Sequence, residues 1–491
     1  MKKIVIAYLG GGSKDWAHKY FGDLLSSGKI GGQLRLFDID KKAAERNCRY
    51  FSKLQSNKKN KVLSDWTCMV TDNLEDTLLG ADFVIISVLP CSLKYMKTDV
   101  HLPEKYGIWQ SVGDTVGPGG YSRAIRTIPI FVDFAKAIRE HCPQAWVINY
   151  TNPLAMCVQT LYEIFPEIKA FGCCHEVFGL QKLLGAILGL FNSLSDEGQE
   201  AFMSGDLNQI KKELKGKGRK FENKYGHEPI ARDQIKVNVQ GINHFTWVNE
   251  ASYEGQDLFE IYRAYIKLFR LNNRKRIKKH TPGFLKMKRN YESVKFELFE
   301  KHGQMAAAGD RHLAEFIPSV YLPDSKVLKH GFVLTPVWAR QFYNLLLKLR
   351  LLIRISPFIR VKIKTSGEEG VRQIEALSGL GDLVSNVNLP NTGQAADLPI
   401  GAVVETNAEF SKDKLLAINA GYMKEEVAEL VRPHAENQHE FVKAYLDGDP
   451  SKIEEVFLKD PAVRRIGNKK AKALFLEMMD KNKACHEDFL K

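Results

Sequence analysis

The first 150 residues alternate short apolar runs with longer stretches in which apolar and polar positions follow a helical period. Four runs have the length and the β-branched content of buried strands: Ile4–Leu9, Leu34–Phe37, Asp82–Val88 and Ala145–Tyr150. The stretch 16–25 predicts a helix between the first and second runs, and the stretch 41–53 predicts one between the second and third. Strands and helices that alternate in this way form βαβ units, so the pattern predicts a parallel sheet.

The pattern changes after about residue 175, where helical periods dominate. Val237–Gly241 still predicts a strand that enters a loop, and the chain from about Lys412 onward predicts helices. The apolar run Leu345–Ile355 is interrupted by basic residues and is too short to span a bilayer, so we expect it to cover a core or an oligomer contact. The Gly- and Lys-rich stretch 204–227 predicts an exposed excursion.

Composition is that of an ordinary globular enzyme. With 44% hydrophobic and 26% charged residues over 491 positions, the chain can bury a large core, and it contains no run of about 18 apolar residues that would predict a membrane span. The basic and apolar N-terminus lacks a small-residue cleavage site, so we expect a cytoplasmic protein. Eight cysteines are too few for a disulfide scaffold, and we expect reduced thiols.

The formal net charge is +13, and the excess is visible at residues 211–220, 270–289 and 340–364. Such stretches can bind nucleic acid or an anionic membrane, but a solvated basic face is the commoner outcome. We therefore expect neither a nucleic-acid partner nor a membrane partner. A basic protein also attracts anionic substrates, although this charge alone does not identify one.

A glycine-rich turn between the first strand and the first helix predicts a dinucleotide site. Gly10, Gly12 and Ser13 would bring the backbone close to a pyrophosphate at a helix N-terminus, and Asp38, at the end of the second strand, would accept the ribose hydroxyls. A carboxylate there repels a 2′-phosphate, so NAD is favoured over NADP. Asp15 replaces the third glycine of the usual pattern, and a plain strand-to-helix turn remains the alternative.

Together these patterns predict an α/β fold of the lactate/malate dehydrogenase type. We expect a Rossmann-like, doubly wound N-terminal sheet over residues 1–175 that binds NAD. An α+β, mostly helical domain over residues 176–491 would then supply the catalytic, substrate-binding and oligomerisation surfaces.

Further polar segments follow strands or glycine-rich turns, where the ligands of α/β proteins bind. They contain Asp114, Asn152, Cys174-His175-Glu176, His244 and Asp310-Arg311-His312. A cysteine and a histidine that are distant in sequence can share a divalent metal or act as a nucleophilic pair, whereas a single buried residue of either type is more often structural. The residues alone leave these alternatives open, because no HExxH or paired CxxC pattern is present.

Six segments, in this order, resemble glycoside hydrolase family 4: IAYLGGGS, QSVGDTVGPGG, NYTNP, GCCHEVFG, GINHFTW and AAGDRHLAEF. The similarity continues at SGEEG near Ser366, NVNLPN near Asn386 and VVETN near Val403, and so covers most of the chain. In this family the tetrapeptide that begins at the metal-binding cysteine varies with substrate class. Cys174-His175-Glu176-Val177 resembles the α-galacturonidase branch, whereas the phospho-sugar branches carry Asn or Asp directly after the cysteine.

The resemblance implies hydrolysis of an α-galacturonide by a redox-elimination route that needs NAD and a divalent metal, expected to be Mn²⁺. NAD takes a hydride from C3 of the sugar, and the resulting ketone acidifies the C2 proton. A base removes that proton, and the glycosidic oxygen leaves by elimination. Water then adds and the hydride returns, so NAD is recycled. The resemblance also implies a homo-dimer or homo-tetramer.

The resemblance further implies the role of each site residue. Cys174 and His244 hold the metal, Asp310 is the C2 base, and His175 or Asp114 is the acid. The candidate substrate residues are Asn152 for a hydroxyl near the metal, Glu176 of the substrate-dependent tetrapeptide, and Arg123, Arg311 and His312 for the carboxylate.

Several other functions share part of this pattern. A 2-hydroxy-acid dehydrogenase of the malate/lactate type would use the same fold and NAD but would accumulate NADH. Another family 4 specificity, for an α-glucuronide or an α-galactoside, would keep the whole chemistry. An NAD-binding regulatory or nucleic-acid-binding protein would use the basic stretches, of which 204–227 and 270–289 match no family segment, and would show steep salt dependence.

Overall fold

The computed structural model describes residues 1–14, 16–221, 227–274, 292–328 and 331–489. Its strands are β1 (Lys2–Leu9), β2 (Ile30–Phe37), β3 (Trp66–Val70), β4 (Phe83–Ile86), β5 (Trp146–Asn149), β6 (Lys169–Gly172), β7 (Lys236–Ile242), β8 (Phe245–Tyr253), β9 (Gln256–Asp257), β10 (Met305–Ala306), β11 (Leu383–Pro390), β12 (Val403–Ser411) and β13 (Lys414–Ala417).

Helices surround these strands and are identified here by their residues. They are Trp16–Ser26, Lys41–Ser56, Leu74–Leu78, Met96–His101, Gly117–His141, Leu154–Ile164, Glu176–Asn192, Asp196–Ser204, Leu207–Gly216, Phe259–Arg274, Ser293–His302, Asp310–Phe316, Pro318–Tyr321, Val337–Ile355, Gly370–Leu377, Glu425–Leu446, Pro450–Lys459, Pro461–Arg464 and Asn468–Phe489.

The first six strands are parallel and lie in one sheet, whose order is β13-β12-β11-β6-β5-β4-β1-β2-β3. β1 pairs with β2 on one side and with β4 on the other, so the strand order reverses beside β1. In doubly wound sheets this change creates the crevice that a dinucleotide occupies. The predicted Rossmann-like sheet is confirmed, and the four predicted strands and first two helices are present, with β2 beginning earlier at Ile30.

Burial along the parallel strands explains their apolar runs. All four residues of β4 are buried, and successive residues contribute to different clusters: Phe83 and Ile85 to one, Val84 and Ile86 to another. Because side chains alternate between the two faces of a strand, helices must cover both faces of the sheet. The continuous runs found in the sequence are therefore those of a sheet buried on both sides.

Three strands from far along the chain complete this sheet. β11 pairs antiparallel with β6 through Asn388 and Gly172, and β12 and β13 continue the sheet, also antiparallel. One sheet therefore crosses residue 175, where the sequence predicts a domain boundary. The expectation of helices from Lys412 onward is wrong at β13 and correct from Glu425.

β7 and β8 form a hairpin in the second sheet, and Asn243 and His244 are its two-residue connection. His244 has a left-handed backbone conformation with φ 64, which histidine adopts more readily than branched residues do. Phe245 and Trp247, which follow it on β8, are fully buried. The hairpin therefore presents His244 from a tightly packed base.

A segment that we call the strap, residues 337–366, packs on the first two helices of the chain. Leu351 and Val361 of the strap join the buried cluster that contains Phe51 of the helix Lys41–Ser56. Asn57 Nδ2 donates to the carbonyl of Val361 at 2.6 Å. The prediction that the run Leu345–Ile355 covers a core holds at Leu351, whereas Leu345, Leu349, Leu352 and Ile353 are exposed. The predicted oligomer contact stays a prediction.

Two other expectations need correction. The stretch 204–227 is not simply an exposed excursion, because the helix Leu207–Gly216 buries Ile210 and Leu214 completely; residues 222–226 lie outside the described part. The described residues contain six free cysteines, but Cys91 is disulfide-bonded, so the expectation of reduced thiols is wrong at that position. Residues 275–291, most of the basic stretch 270–289, lie outside the described residues.

No helix among the described residues is both long and apolar enough to cross a membrane.

A buried ion pair, Arg126 with Asp99, joins the helix Gly117–His141 to the helix Met96–His101 at 2.6 Å. Arg126 also donates to Asn482 Oδ1 at 2.6 Å, which links the C-terminal helix to the same pair. We expect Asp99→Ala to lower the free energy of unfolding by about 3–5 kcal/mol, because it leaves a buried guanidinium without its charge partner. Urea denaturation followed by fluorescence measures the change.

The matched control is Asp65→Ala, which removes the exposed pair between Lys3 and Asp65. Exposed pairs contribute little, so this variant should unfold at nearly the same urea concentration as the parent chain. Equal destabilisation by the two substitutions would contradict the importance assigned to the buried pair.

Candidate active site

The glycine-rich turn after β1 has the geometry of a phosphate-binding loop. Gly10 has φ 92, and a Cβ atom there would overlap the carbonyl of Ser87. At Gly12 a Cβ atom would lie 2.7 Å from Asp38 Oδ2, to which the backbone N–H of Gly12 donates at 2.8 Å. Only glycine fits these two positions, so the turn can approach a ligand with bare backbone.

Side chains behind the turn fix its shape. Asn47 Nδ2 donates to the carbonyls of Gly11 at 2.7 Å and of Ser13 at 2.8 Å. Burial raises the pKa of Asp38, whose Oδ1 accepts from the backbone N–H of Asp40 at 2.9 Å. The structure therefore brings the predicted residues Gly10, Gly12, Ser13 and Asp38 together at the carboxyl ends of β1 and β2.

Two apolar side chains remain exposed at the same edge of the sheet. Ile39 directly follows Asp38 and is 76% exposed, and Leu89, which follows β4, is 49% exposed. In doubly wound folds a dinucleotide lies across this edge, at the point where the strand order reverses. These side chains offer it apolar surface that water otherwise covers.

Asp114, His244 and His312, which we call the metal group, come from three distant parts of the chain. One potential ligand atom from each lies within 4.8 Å of the others. The two imidazole rings are 3.9 Å apart between centroids, and Nδ1 of His312 is buried without a hydrogen-bond partner. A carboxylate and two imidazoles that converge in this way form a donor set for a divalent transition metal.

Hydrogen bonds and burial prepare His244 to act as a ligand. Thr115 Oγ1 lies 2.7 Å from His244 Nδ1 and donates to Asp114 Oδ1 at 2.8 Å, so one hydroxyl links two members of the metal group. Burial, followed by the neighbouring His312, lowers the pKa of His244 to about 3. The ring is therefore neutral at pH 7, as metal ligation requires.

The carboxylates of the site remain ionised despite their burial. Burial would raise the pKa of Asp114, but His312, Arg123 and His244 lower it below its ordinary value. The pKa of Glu176 behaves in the same way. Burial alone would raise it, but His312 and His244 lower it by more, so it lies below its ordinary value. Its Oε2 also accepts from the backbone N–H of Gly309 at 2.7 Å. Glu176 thereby holds the turn that precedes Asp310 against the metal group.

Cys174 is not a member of the metal group. It is buried, and burial raises the pKa of its thiol, with Glu405 and Glu176 acting in the same direction. Asn243, next to His244, faces the thiol and is itself 1% exposed. The structure thus places Cys174 and His244 in one neighbourhood, while the tightest set of donors is the metal group.

Asp310 begins the helix Asp310–Phe316 and accepts hydrogen bonds from the start of another helix, Ser293–His302. Its carboxylate receives the backbone N–H groups of Val294 and Lys295, each at 3.2 Å. Burial raises the pKa of Asp310 to about 6, although these two hydrogen bonds oppose the rise. A carboxyl with this pKa can exchange a proton near neutral pH.

Arg311, a predicted carboxylate ligand, is used within the protein. It donates to the carbonyls of Ser111 and Val333 and to Thr335 Oγ1, at 2.8 Å for the last. Arg123, a second candidate, lies 4.0 Å from Asp114. The third candidate, His312, belongs to the metal group.

The remaining predicted residues line the neighbouring surface. Asn152 has a buried Oδ1 without a hydrogen-bond partner and precedes a cis peptide bond to Pro153. His175 is exposed, and its ring lies 5.8 Å from that of Trp16 at the start of the first helix. His175 therefore stands between the dinucleotide turn and the metal group.

Sequence reasoning missed the acidic residues that hold the site in place. Glu315 is buried and accepts the backbone N–H of Val112 and, at 3.0 Å, that of Gly113, so it fixes the loop that carries Asp114. Glu405 is buried beneath Cys174 and accepts from Asn386 Nδ2 at 2.6 Å. A glutamate inside an apolar stretch is the signal that could have drawn attention to both, as in VVETN around Glu405.

Comparison with known proteins agrees with this geometry. The model of the family 4 glycosyl hydrolases matches residues 4–190, and that of the C-terminal domain of the same family matches residues 239–463. The chain belongs to family 4 of the glycosyl hydrolases. The resemblance inferred from the motifs is thereby confirmed.

Relatives match this family 4 chain over nearly its whole length. A protein of Thermoanaerobacterium saccharolyticum named alpha-galacturonidase is 45% identical over 98% of this chain and 96% of its own. A solved structure described as a Bacillus subtilis glucosidase is 39% identical, with a TM-score of 0.80 over 97% of this chain and 100% of its own. A 6-phospho-alpha-glucosidase from gut microorganisms, solved with NAD and Mn²⁺, shares the fold at 17% identity and a TM-score of 0.72, over 99% of each chain.

We expect His312→Ala to weaken Mn²⁺ binding by more than about 10-fold, because it removes one of three converging donors from a buried site. Isothermal titration of the purified protein with Mn²⁺ measures the effect. The control is His439→Ala, which removes an imidazole outside the metal group, 3.1 Å from Gln159 Oε1. Unchanged Mn²⁺ affinity in His312→Ala would remove His312 from the ligand set.

Proposed function

We propose that this family 4 protein hydrolyses α-galacturonides with NAD and a divalent metal, expected to be Mn²⁺. The observation that carries the proposal is the 45% identity, over nearly the whole of both chains, to a protein named alpha-galacturonidase. The tetrapeptide Cys174-His175-Glu176-Val177 supports it, because Glu176 is close to His312 and His244 and Cys174 is close to Glu176 and Asn243. Residues 1–175 would bind NAD and residues 176–491 would supply most of the substrate contacts.

The residues of the dinucleotide turn fit NAD. Bare backbone at Gly10 and Gly12, together with Ser13, would approach the pyrophosphate, and Asp38 would accept the ribose hydroxyls. When bound, NAD supplies a hydride acceptor for C3 of the sugar and so makes the C2 proton acidic. The protein's part is to hold the sugar with C3 facing the end of the crevice, between the dinucleotide turn and the metal group.

The metal group fits a divalent ion by its chemistry. Asp114 offers a charged oxygen, and His244 offers the nitrogen of a neutral ring. His312 offers a buried Nδ1 that has no hydrogen-bond partner. When bound, the metal polarises the oxygens on C2 and C3 and stabilises the enolate that forms after proton removal. Cys174 is proposed to complete the ligand set, and Asn152, whose buried Oδ1 has no hydrogen-bond partner, is proposed to hold a sugar hydroxyl.

Asp310 is proposed as the base that removes the C2 proton. Its buried carboxyl has a pKa of about 6, so it is mostly ionised at neutral pH and can hold a proton transiently. The backbone N–H groups of Val294 and Lys295 orient it. Ala307 and Ala308 before it are buried in the core, so the turn that carries Asp310 is packed from within the protein.

His175 is proposed as the acid that protonates the leaving oxygen. Asp114 was the other candidate, but the low pKa that His312 and Arg123 impose on it, against its burial, leaves it without a proton to give. His175 is exposed, adjacent to Glu176, and free of the metal group. The alternative of a 2-hydroxy-acid dehydrogenase is not favoured, because residues 4–190 and 239–463 match the two domain models of a hydrolase family.

Two expectations about the whole protein stay predictions. We propose a cytoplasmic location and a homo-dimer or homo-tetramer. Light scattering coupled to size-exclusion chromatography measures the second.

The substrate proposal predicts a clear preference in a panel of p-nitrophenyl α-glycosides. With NAD, Mn²⁺ and reductant present, the α-galacturonide should be cleaved at least about 100-fold faster, in kcat/KM, than the α-galactoside or the α-glucoside, because a site built for a carboxylate leaves its polar groups unpaired when the sugar is neutral. The α-glucuronide tests the configuration at C4. Equal rates for the galactoside and the galacturonide would disprove a uronidase.

The mechanism predicts exchange at C2. In D₂O the galacturonate released by the wild-type protein should carry deuterium at C2, without net accumulation of NADH, and mass spectrometry with absorbance at 340 nm measures both. Asp310→Asn should stop exchange and cleavage. Product free of deuterium would exclude elimination, whereas normal exchange in Asp310→Asn would move the base to another residue.

A further inference from the structure

Lys295 is a buried lysine that the proposed reaction does not use. It lies in the first turn of the helix Ser293–His302 and is only 4% exposed. Its backbone N–H donates to Asp310 Oδ1 at 3.2 Å. Throughout the described ranges of the chain, however, its ammonium group has no hydrogen-bond acceptor and no carboxylate within 4.0 Å.

An ammonium group without a partner is costly in a protein interior. Removing such a charge from water costs several kcal/mol unless an opposite charge or good acceptors replace the water. The neighbouring charge that acts on this region is the carboxylate of Asp310, which already accepts from Val294 and Lys295 and from Ser293 Oγ at 3.3 Å. The position is therefore suited to an additional anion.

The other cations near the site face groups of the protein. Arg311 is bound to Thr335 and to backbone carbonyls, and Arg123 pairs with Asp114 at 4.0 Å, beyond hydrogen-bond distance. His312 is a member of the metal group. Each of the three residues that the sequence suggested for the substrate carboxylate thus has a partner or a different use, whereas Lys295 has neither.

The position of Lys295 connects it to the reacting sugar. Asp310, which it touches through its backbone, begins the helix that also carries His312, and the preceding Gly309 contacts Glu176. A sugar held between the metal group and Asp310 would therefore lie beside the first turn of the helix Ser293–His302. The positive end of the helix dipole lies at the same start, but the backbone N–H groups of Val294 and Lys295 there are already bound to Asp310, so the ammonium is the group left for a further anion.

We propose that Lys295 is the cation that binds the carboxylate of the uronate substrate. The inference rests on the proposed function, and it assigns the specificity of that site to one residue. When the carboxylate enters, a buried charge without a partner becomes a charge-assisted ion pair, so the gain in binding is larger than at an exposed lysine. A neutral sugar would leave the ammonium without a partner, which discriminates against galactosides.

The test compares binding of D-galacturonate with that of D-galacturonamide, its uncharged analogue, to the protein loaded with NAD and Mn²⁺. Isothermal titration of the wild-type protein should show a preference for the acid of about 10- to 100-fold. Lys295→Met should bind the two ligands about equally, and Lys295→Arg should restore part of the preference. Lys301→Met, an exposed position on the same helix, is the matched control and should keep the full preference.

Thermal unfolding and NAD titration of each variant separate recognition from folding. If Lys295→Met fails to fold, Lys295→Gln is measured in the same way, since it keeps the length and a polar end. A variant that folds and binds NAD but retains the acid preference overturns the role of Lys295 and leaves the proposed function intact. A wild-type protein without any acid preference overturns both.

Discussion

The buried carboxyl of Glu405 connects the structural elements that carry the site. It lies on β12, and it accepts hydrogen bonds from Asn386 of β11 at 2.6 Å and from Thr246 of β8 at 3.0 Å. Asn386 also donates to the carbonyl of Cys174 at 3.3 Å, and Thr246 lies two residues after His244. One buried group therefore sets the distance between the large sheet, the hairpin and the cysteine. Burial raises its pKa to about 7, so this connection is made by a group that changes its charge near neutral pH.

Much of the parallel sheet could be predicted from the sequence, and the antiparallel strands could not. β1 and β4 are buried on both faces, so they appear as unbroken apolar runs of strand length. β13 alternates exposed and half-buried residues over only four positions, a pattern too short to distinguish from a helix end. The pairing of β11 with β6 depends on contacts between residues about 200 positions apart, which no local period encodes.

The site was predictable where its residues sit in glycine-rich or unusual polar motifs, as Gly10, Cys174 and Asp310 do. The metal group could not be assembled from the sequence, because Asp114, His244 and His312 meet only through the fold. Lys295 was also hidden, since it lies on a helix with charged neighbours and has the local pattern of an exposed position. What reveals it is burial, a property of the finished packing rather than of spacing along the chain.

The sheet that runs across residue 175 has a consequence for synthesis of the protein on the ribosome. The edge of β6 is completed by β11 and β12, and Phe171 of β6 packs edge-to-face on Phe410 of β12 with ring centroids 5.3 Å apart. Both partners emerge roughly 200 residues later, which at 5–20 residues per second is about 10–40 s. During that interval the nascent N-terminal half carries an open strand edge and an uncovered aromatic ring, the features that chaperones bind and that promote aggregation.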